Sequence, residues 1–320
     1  MNNIIFWASD YSSKSGEGRL ARVFIKNLQK NQKINSISRI KSNLVKLDKN
    51  LNKKKFSSFI HKYIIPLYGV FSLWFFHFKN YKTAYLNYLP LWNFIILLLL
   101  PPNCLLGPIT GTIDKKKKKF LKTLLEIISE IIIKFRYKRA IFANNFFQNR
   151  FQNHLHNFII SDFKKINHKS IKKYDFIFYI RKDLFNKNLF FQNLIRTLLN
   201  LNFKIVTIGD KIKFKNILNF GYQNKKLTQK IISSCKYSVN NRENLYSFFA
   251  QDCLKNNLTV FYNDQFKKYE ILKISNLHPI NYEDYNLAIK QIIKKINNKN
   301  KNFIFSFKKD CFDNFFKDLV

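Results

Sequence analysis

Apolar and polar positions in the second half of the chain are grouped in blocks. Residues 174–180, 204–208, 217–220, 237–239 and 258–262 are short apolar runs. Between and after them, residues 188–201, 225–234, 244–255 and 282–297 carry apolar side chains at helical spacing. Apolar strands alternating with helices predict a parallel sheet covered on both faces. The first half has the same rhythm with longer polar interruptions. Residues 3–8, 84–89, 104–109 and 140–144 read as strands, and residues 19–30, 56–78, 91–100, 115–139 and 146–154 as helices. Residues 35–55 read as a lysine-rich strand and loop, and a second polar, lysine-rich stretch at 159–173 sets a domain junction near residue 170. The pattern predicts two α/β domains, residues 1–170 and 171–302, followed by an aromatic-rich helix at 303–320 that packs back on the first domain.

The helix at 115–139 is the most asymmetric. Lysine occupies every position from Lys115 to Lys119. Phe120, Leu124, Ile127, Ile128, Ile131 and Phe135 then share one face, opposite Lys122, Glu126, Ser129, Glu130 and Lys134. An amphipathic helix running from Lys115 to Arg139 behind a basic leader suits two placements. It packs on its own sheet with the lysines in solvent, or it lies on an anionic membrane, where each basic residue contributes about 1 kcal/mol. Residues 83–113 carry no charged side chain, but Pro90, Pro101 and Pro102 interrupt them. The unbroken apolar run at 94–100 is too short for a membrane span, which needs about 20 residues. Residues 1–6 lack the basic start of a secretory signal, and a cytoplasmic chain is expected.

Charge changes this picture only in part. The 320 residues hold 57 Lys and Arg against 19 Asp and Glu, a formal net charge of +38. Lysine, asparagine, isoleucine and phenylalanine rise together, the mark of an A/T-rich coding sequence. A basic chain is also drawn to anionic lipid, to a nucleoside diphosphate or to nucleic acid. Nucleic acid is disfavoured, because the aromatics fall inside apolar strands and helices and no common binding motif occurs. Cys104, Cys235, Cys253 and Cys311 have no paired spacing and read as reduced thiols. The six histidines form no triad or ligand pattern and no Asp-x-Asp occurs, so no metal site is predicted.

The candidate chemistry sits where strands hand over to helices. Glu243 follows the 237–239 strand and opens the next helix, the edge at which open α/β sheets hold ligands. A carboxylate there suits the hydroxyls of a sugar or ribose. Arg181 follows the 174–180 strand and offers a planar fork for phosphate oxygens, and Lys187 adds a point charge at the next helix start. In the first half, Gly16 and Gly18 let backbone N–H groups approach an anion at a helix N-terminus. Ala21 stands where a dinucleotide fingerprint has its third glycine. Asp10, in the same loop, is a candidate base.

Four pieces occur in order: Tyr179-Ile180-Arg181 with Lys187-Asn188, Ile208-Gly209-Asp210, Asn219-Phe220-Gly221, and Glu243 with Gln251 eight residues on. In this order and spacing the second half resembles the nucleotide-sugar domain of the GT-B glycosyltransferases, above all the group called family 4. In the first half, Leu106-Gly107-Pro108-Ile109-Thr110-Gly111 is similar to a loop of some bacterial members. The chain departs from the family at Ile180, where a glycine is usual, and at Gln251, where a second acid is usual; Asp252 lies one residue late. The resemblance implies a GT-B architecture, two Rossmann-like domains facing each other across a cleft. It implies Arg181, Lys187 and Glu243 as catalytic residues, Gly16, Gly18, Gly209, Gly221 and Gln251 on the donor side, and Gly107, Thr110 and Gly111 in an acceptor-side loop. It implies transfer of a sugar from a nucleotide-sugar donor to a lipid-linked or polysaccharide acceptor, with retention and without metal or other cofactor. The alternatives are a basic nucleic-acid-binding protein and, because of Gln251, a catalytically inactive GT-B scaffold.

Overall fold

The computed structural model describes residues 2–11, 16–29, 34–40, 64–110, 120–137, 140–142, 155–157, 171–186, 188–241, 245, 247–269 and 274–298. The helices expected at 146–154 and 303–320, with Lys115 to Lys119, Lys187, Glu243, Gly111 and Cys311, lie outside them. The described residues fall into two compact units, one within 1–161 and one within 162–308.

The first unit contains the strands β1 (Asn2–Trp7), β2 (Ile34–Arg39), β3 (Lys82–Tyr85), β4 (Leu89–Pro90), β5 (Leu105–Leu106), β6 (Ile109–Thr110), β7 (Ala140–Phe142) and β8 (Leu155–Asn157). Two parallel sheets result, in the orders β2-β1-β3-β5 and β4-β6-β7-β8. They meet where the chain jogs between β3 and β4 and between β5 and β6. Gly107 N donates to Tyr85 O at 2.8 Å, and Leu89 N to Pro108 O at 3.0 Å. The backbones close so tightly that a Cβ on Gly107 would lie 2.2 Å from the Asn87 carbonyl oxygen. Glycine is needed there for packing between strands.

Among the described residues four helices accompany these strands: α1 (Gly16–Leu28), α2 (Ile65–Phe78), α3 (Phe94–Leu99) and α4 (Phe120–Arg136). The step from β1 to β2 runs opposite to the later steps, and right-handed crossovers then put α1 on one sheet face and α2, α3 and α4 on the other. One core joins Trp7 and Leu106 of the strands to Leu73 of α2, Leu97 of α3 and Ile133 of α4.

The roll of α4 is a finding that periodicity did not reveal. Glu126, Ser129 and Ile133 are buried, whereas Phe120 is 85% exposed and Phe135 86%. Glu126 and Ser129 of the polar face turn inward while Lys134 stays exposed, and the helix end is tied to α3. Tyr137 Oη donates to Leu97 O, Arg136 Nη2 to Leu100 O at 2.9 Å, and Asn103 N to Arg136 O at 3.1 Å. The first two bonds satisfy carbonyls at the end of α3, the third one at the end of α4, and together they tie the two helix ends to each other.

The second unit is a single parallel sheet of β9 (Tyr174–Ile180), β10 (Ile205–Gly209), β11 (Ile217–Asn219), β12 (Cys235–Val239), β13 (Thr259–Asn263) and β14 (Leu277–Ile280). The order is β11-β10-β9-β12-β13-β14. Helices α5 (Lys182–Asn186), α6 (Leu189–Asn200), α7 (Lys225–Ser233), α8 (Phe248–Lys255) and α9 (Tyr285–Asn297) connect and cover it. Phe176, Phe178, Leu198, Phe261 and Ile292 share one core between the sheet and α6 with α9. β14 was not legible as a strand, because Leu277-His278-Pro279-Ile280 breaks the apolar run; as an edge strand it tolerates the proline.

Polar residues punctuate the helices. Asn224, Ser247 and Asp284 side chains accept backbone N–H bonds at the starts of α7, α8 and α9. With only seven glycines in the chain, asparagine takes the left-handed positions that close helices: Asn80 after α2, Asn202 after α6 and Asn257 after α8.

Gly209 is the position where glycine matters most. Its φ is +95°, and a Cβ there would lie 2.3 Å from Ile180 O. Gly209→Ala is expected to destabilise the second unit by about 2 kcal/mol or more, measured by equilibrium urea unfolding. Gly16→Ala, with no atom within 4 Å of the added Cβ, should change stability by less than about 1 kcal/mol. His278 gives a pH prediction. Burial, and secondarily the charge of Lys295, hold its pKa down to about 4 against an ordinary 6.5. A depressed histidine pKa contributes stability above the unfolded value that is lost as pH falls through the folded one. Stability should therefore drop between about pH 6.5 and pH 4, and His278→Gln should flatten that drop in thermal melts.

Candidate functional site

In the second unit the chain steps from β9 to β10 to β11, then returns to place β12 on the other edge of β9. The crossovers leave in opposite directions, so the C-terminal ends of β9 and β12 border a crevice, the usual ligand position in open α/β sheets. On the β9 side, Ile180 O accepts Asp210 N at 2.9 Å, and the Asp210 carboxylate accepts Lys182 N at 2.8 Å. Gly209 N donates to Gly221 O at 3.1 Å, and Gly221 itself has a φ of +71°. Thus Arg181, Gly209 and Gly221, singled out in the sequence, converge on one sheet edge. Arg181 is exposed.

Tyr222, next to Gly221, joins this group and was not foreseen. Its phenol is pushed up to about 12 by partial burial, then by Tyr179 and by the Asp210 carboxylate; Arg181 opposes the rise. A phenol, a carboxylate and a guanidinium therefore share one electrostatic neighbourhood. Tyr179 also reaches across to α8, its ring 5.7 Å from that of Phe249.

On the β12 side the organising residue is Asn240, buried and also unforeseen. Its Nδ2 donates to Leu245 O at 2.9 Å. Its Oδ1 accepts Asn241 N at 2.9 Å and Ser247 Oγ at 3.1 Å. Tyr282 Oη donates to Asn240 O at 2.6 Å from the turn ahead of α9. Ser247 Oγ in turn accepts Ala250 N at 3.2 Å and caps α8. The turn into α8 is held by side-chain amide and hydroxyl bonds, which aim the helix's N-terminal N–H groups toward the strand ends. Gln251 is fully buried in α8, its N–H donating to Ser247 O at 2.9 Å.

The remaining sequence candidates belong to the first unit. Gly16 and Gly18 lie inside the first turn of α1, where a loop was expected, and Arg22 Nε donates to Gly18 O at 3.3 Å. Gly107 and Thr110 are parts of the jogged sheet, and Thr110 O accepts Leu91 N at 2.7 Å. The switch point of this unit lies between β1 and β3. There Asn87 Oδ1 accepts Ser9 N at 3.0 Å and Ser9 Oγ at 2.7 Å, and Glu17 Oε2 lies 3.2 Å from the same hydroxyl. Only Glu17, an acid between two glycines in a basic chain, was a usable signal for this cluster.

No protein-family model matches the sequence, and no curated protein matches it. Among solved structures, the UDP-GlcNAc 2-epimerase of Methanocaldococcus jannaschii, in complex with UDP-GlcNAc and UDP, is similar over 96% of this chain and 95% of that one. The TM-score is 0.53 and the identity 8%. The fold is GT-B. Two further structures match with lower scores. The UDP-GlcNAc 2-epimerase of Neisseria meningitidis has a TM-score of 0.48 at 9% identity over 100% and 94% of the two chains. The T4 phage BGT in complex with UDP-glucose has 0.46 at 10% identity over 100% and 94%. The GT-B assignment accounts for both units being parallel α/β sheets, each with a switch point of its own.

Asn240→Ala should cost about 2 kcal/mol, because it leaves the Leu245 carbonyl and the Asn241 N–H without their side-chain partner. Ser247→Ala should cost about 1 kcal/mol through the lost cap. The two residues share a bond, so the double variant should be less destabilised than the sum in urea unfolding.

Proposed function

We propose that the protein is a glycosyltransferase. Its second unit takes a nucleotide-sugar donor at the crevice between β9 and β12, and its first unit takes a lipid-linked or polysaccharide acceptor. The observation that carries this reading is the convergence of Arg181, Gly209, Gly221, Tyr222 and the capped start of α8 on one sheet edge. Breaking the bond between a sugar and a nucleoside diphosphate develops negative charge on the leaving diphosphate. Arg181 would meet that charge with a planar pair of N–H donors, and the N-terminal amides of α8 would add backbone donors. Lys187 would supply a second cation and Glu243 would accept hydrogen bonds from sugar or ribose hydroxyls, the roles the family resemblance implies. Gly209 and Gly221 supply the positive-φ backbone of the turns at this edge, with Ile180 O and the Lys211 side chain lying close to where their Cβ atoms would be. Retention follows from the same resemblance, and independence of a divalent metal from the lack of an Asp-x-Asp in the sequence.

Epimerisation of a nucleotide sugar is the second reading, favoured by the fold likeness to the archaeal UDP-GlcNAc 2-epimerase. Both reactions begin with a bound nucleotide sugar, and they differ in products. A transferase releases nucleoside diphosphate in proportion to an acceptor, whereas an epimerase returns an isomeric nucleotide sugar.

A donor present at 100 times its dissociation constant should stabilise the protein by about 2.7 kcal/mol, seen as a thermal shift across a panel of nucleoside diphosphates and nucleotide sugars. Arg181→Ala should weaken that binding by about tenfold or more, the scale of a lost charge-assisted hydrogen bond. Glu243→Ala should reduce turnover more than nucleoside diphosphate binding. A flat response to every donor would sink the reading.

A further inference from the structure

The three helices on one face of the first sheet are apolar on both sides. Their inner sides build the core described above. Their outer sides carry a second apolar surface. On α2 the exposed stripe includes Phe71, Phe75 and Phe78, exposed by 71%, 55% and 75%. On α3 it includes Ile95 and Leu98, with Trp92 in the turn ahead of it, and on α4 it includes Phe120, Leu124, Ile131 and Phe135. These stripes adjoin. Trp74 Nε1 of α2 donates to Leu99 O of α3 at 2.6 Å, and Arg136 of α4 bonds to Leu100 O at the end of α3. A layer that hides Glu126 and Ser129 while presenting phenylalanines to the outside is unlike a solvated helical face.

We propose that this face docks on the surface of an anionic lipid bilayer. Two observations select that occupant. The first is charge. Residues 64–110 contain no Asp or Glu at all, and the described residues between 64 and 137 hold Lys79, Lys82, Lys122, Lys134 and Arg136 against two acids, one of them the buried Glu126. Lys79 already lies along the patch, its Nζ 4.3 Å from the Phe75 ring centroid, with its stem on apolar surface as interfacial lysines adopt. Basic residues on the helices that carry an apolar face complement anionic headgroups above acyl chains. A second copy of this chain would instead oppose like charges across a self-paired interface, in a protein of net charge +38. The second observation is length. The 14 residues of α2 extend about 21 Å, short of the about 30 Å hydrocarbon core, and no helix among the described residues is long and apolar enough to cross a membrane. The face therefore lies in the interface. This docking is independent of the transfer reaction proposed above.

Co-sedimentation of the full chain with vesicles tests it. Vesicles of phosphatidylcholine with phosphatidylglycerol should capture the protein, and phosphatidylcholine alone should capture much less, with binding weakened by salt. The double variant Phe75→Asp with Ile131→Asp should partition about tenfold or more weakly. Its thermal transition should be unchanged, because both side chains are exposed. Brominated lipid should quench fluorescence from Trp92 in the wild type, and Trp92→Phe should remove that signal. Equal partitioning of the variant and wild type, or no capture by anionic vesicles, would overturn the proposal. So would a wild-type dimer that the double variant converts to monomer, because the face would then be an interface between copies.

Discussion

β9 is hydrogen-bonded along both edges, to β10 on one side and to β12 on the other, and the second unit follows from that constraint. A parallel strand with two neighbours has no solvent-facing edge and is buried by helices above and below. Its connections must leave in opposite directions, which opens a crevice at its C-terminal end. Everything argued about chemistry depends on that end: Ile180 O binds Asp210 N, Gly209 folds close against the same carbonyl, and Asn240 knots the turn across the crevice. A side chain at Gly209 would collide with the backbone that makes the crevice.

The first unit has a surface whose character runs against helical periodicity. On apolar area alone, burying the aliphatic stripe of α4 would be the favourable choice. Instead, with the helix end tied to α3 through Arg136 and Tyr137, Glu126 and Ser129 lie inward and the phenylalanines outward. The cost of exposing so much apolar surface is why that face invites a partner medium, and the absence of acids from residues 64–110 narrows the chemistry of that medium.

Composition and structure are linked at the turns. The chain is poor in glycine and rich in asparagine, and its left-handed helix ends fall on Asn80, Asn202 and Asn257. Asparagine tolerates that conformation because its short amide can hydrogen-bond locally. Where no Cβ fits, at Gly107 and Gly209, glycine was kept.

Most of the strand and helix order was legible in the sequence, because parallel strands buried on two faces must be continuously apolar and the helices between them must be amphipathic; β8 and β14, whose short runs are broken by polar residues or proline, were not. Arg181, Gly209 and Gly221 were legible too, since a charge or glycine directly after such a strand marks the sheet's C-terminal edge. The tertiary structure alone decided that Tyr222 and Asp210 sit beside Arg181, because that depends on which strands become neighbours. It decided the role of Asn240, whose partners Leu245, Ser247 and Tyr282 meet only when β12, α8 and α9 are assembled. It also decided the outward face of α4. Helical periodicity records that one side is apolar, but which side meets the sheet is set by packing between chain segments far apart in sequence.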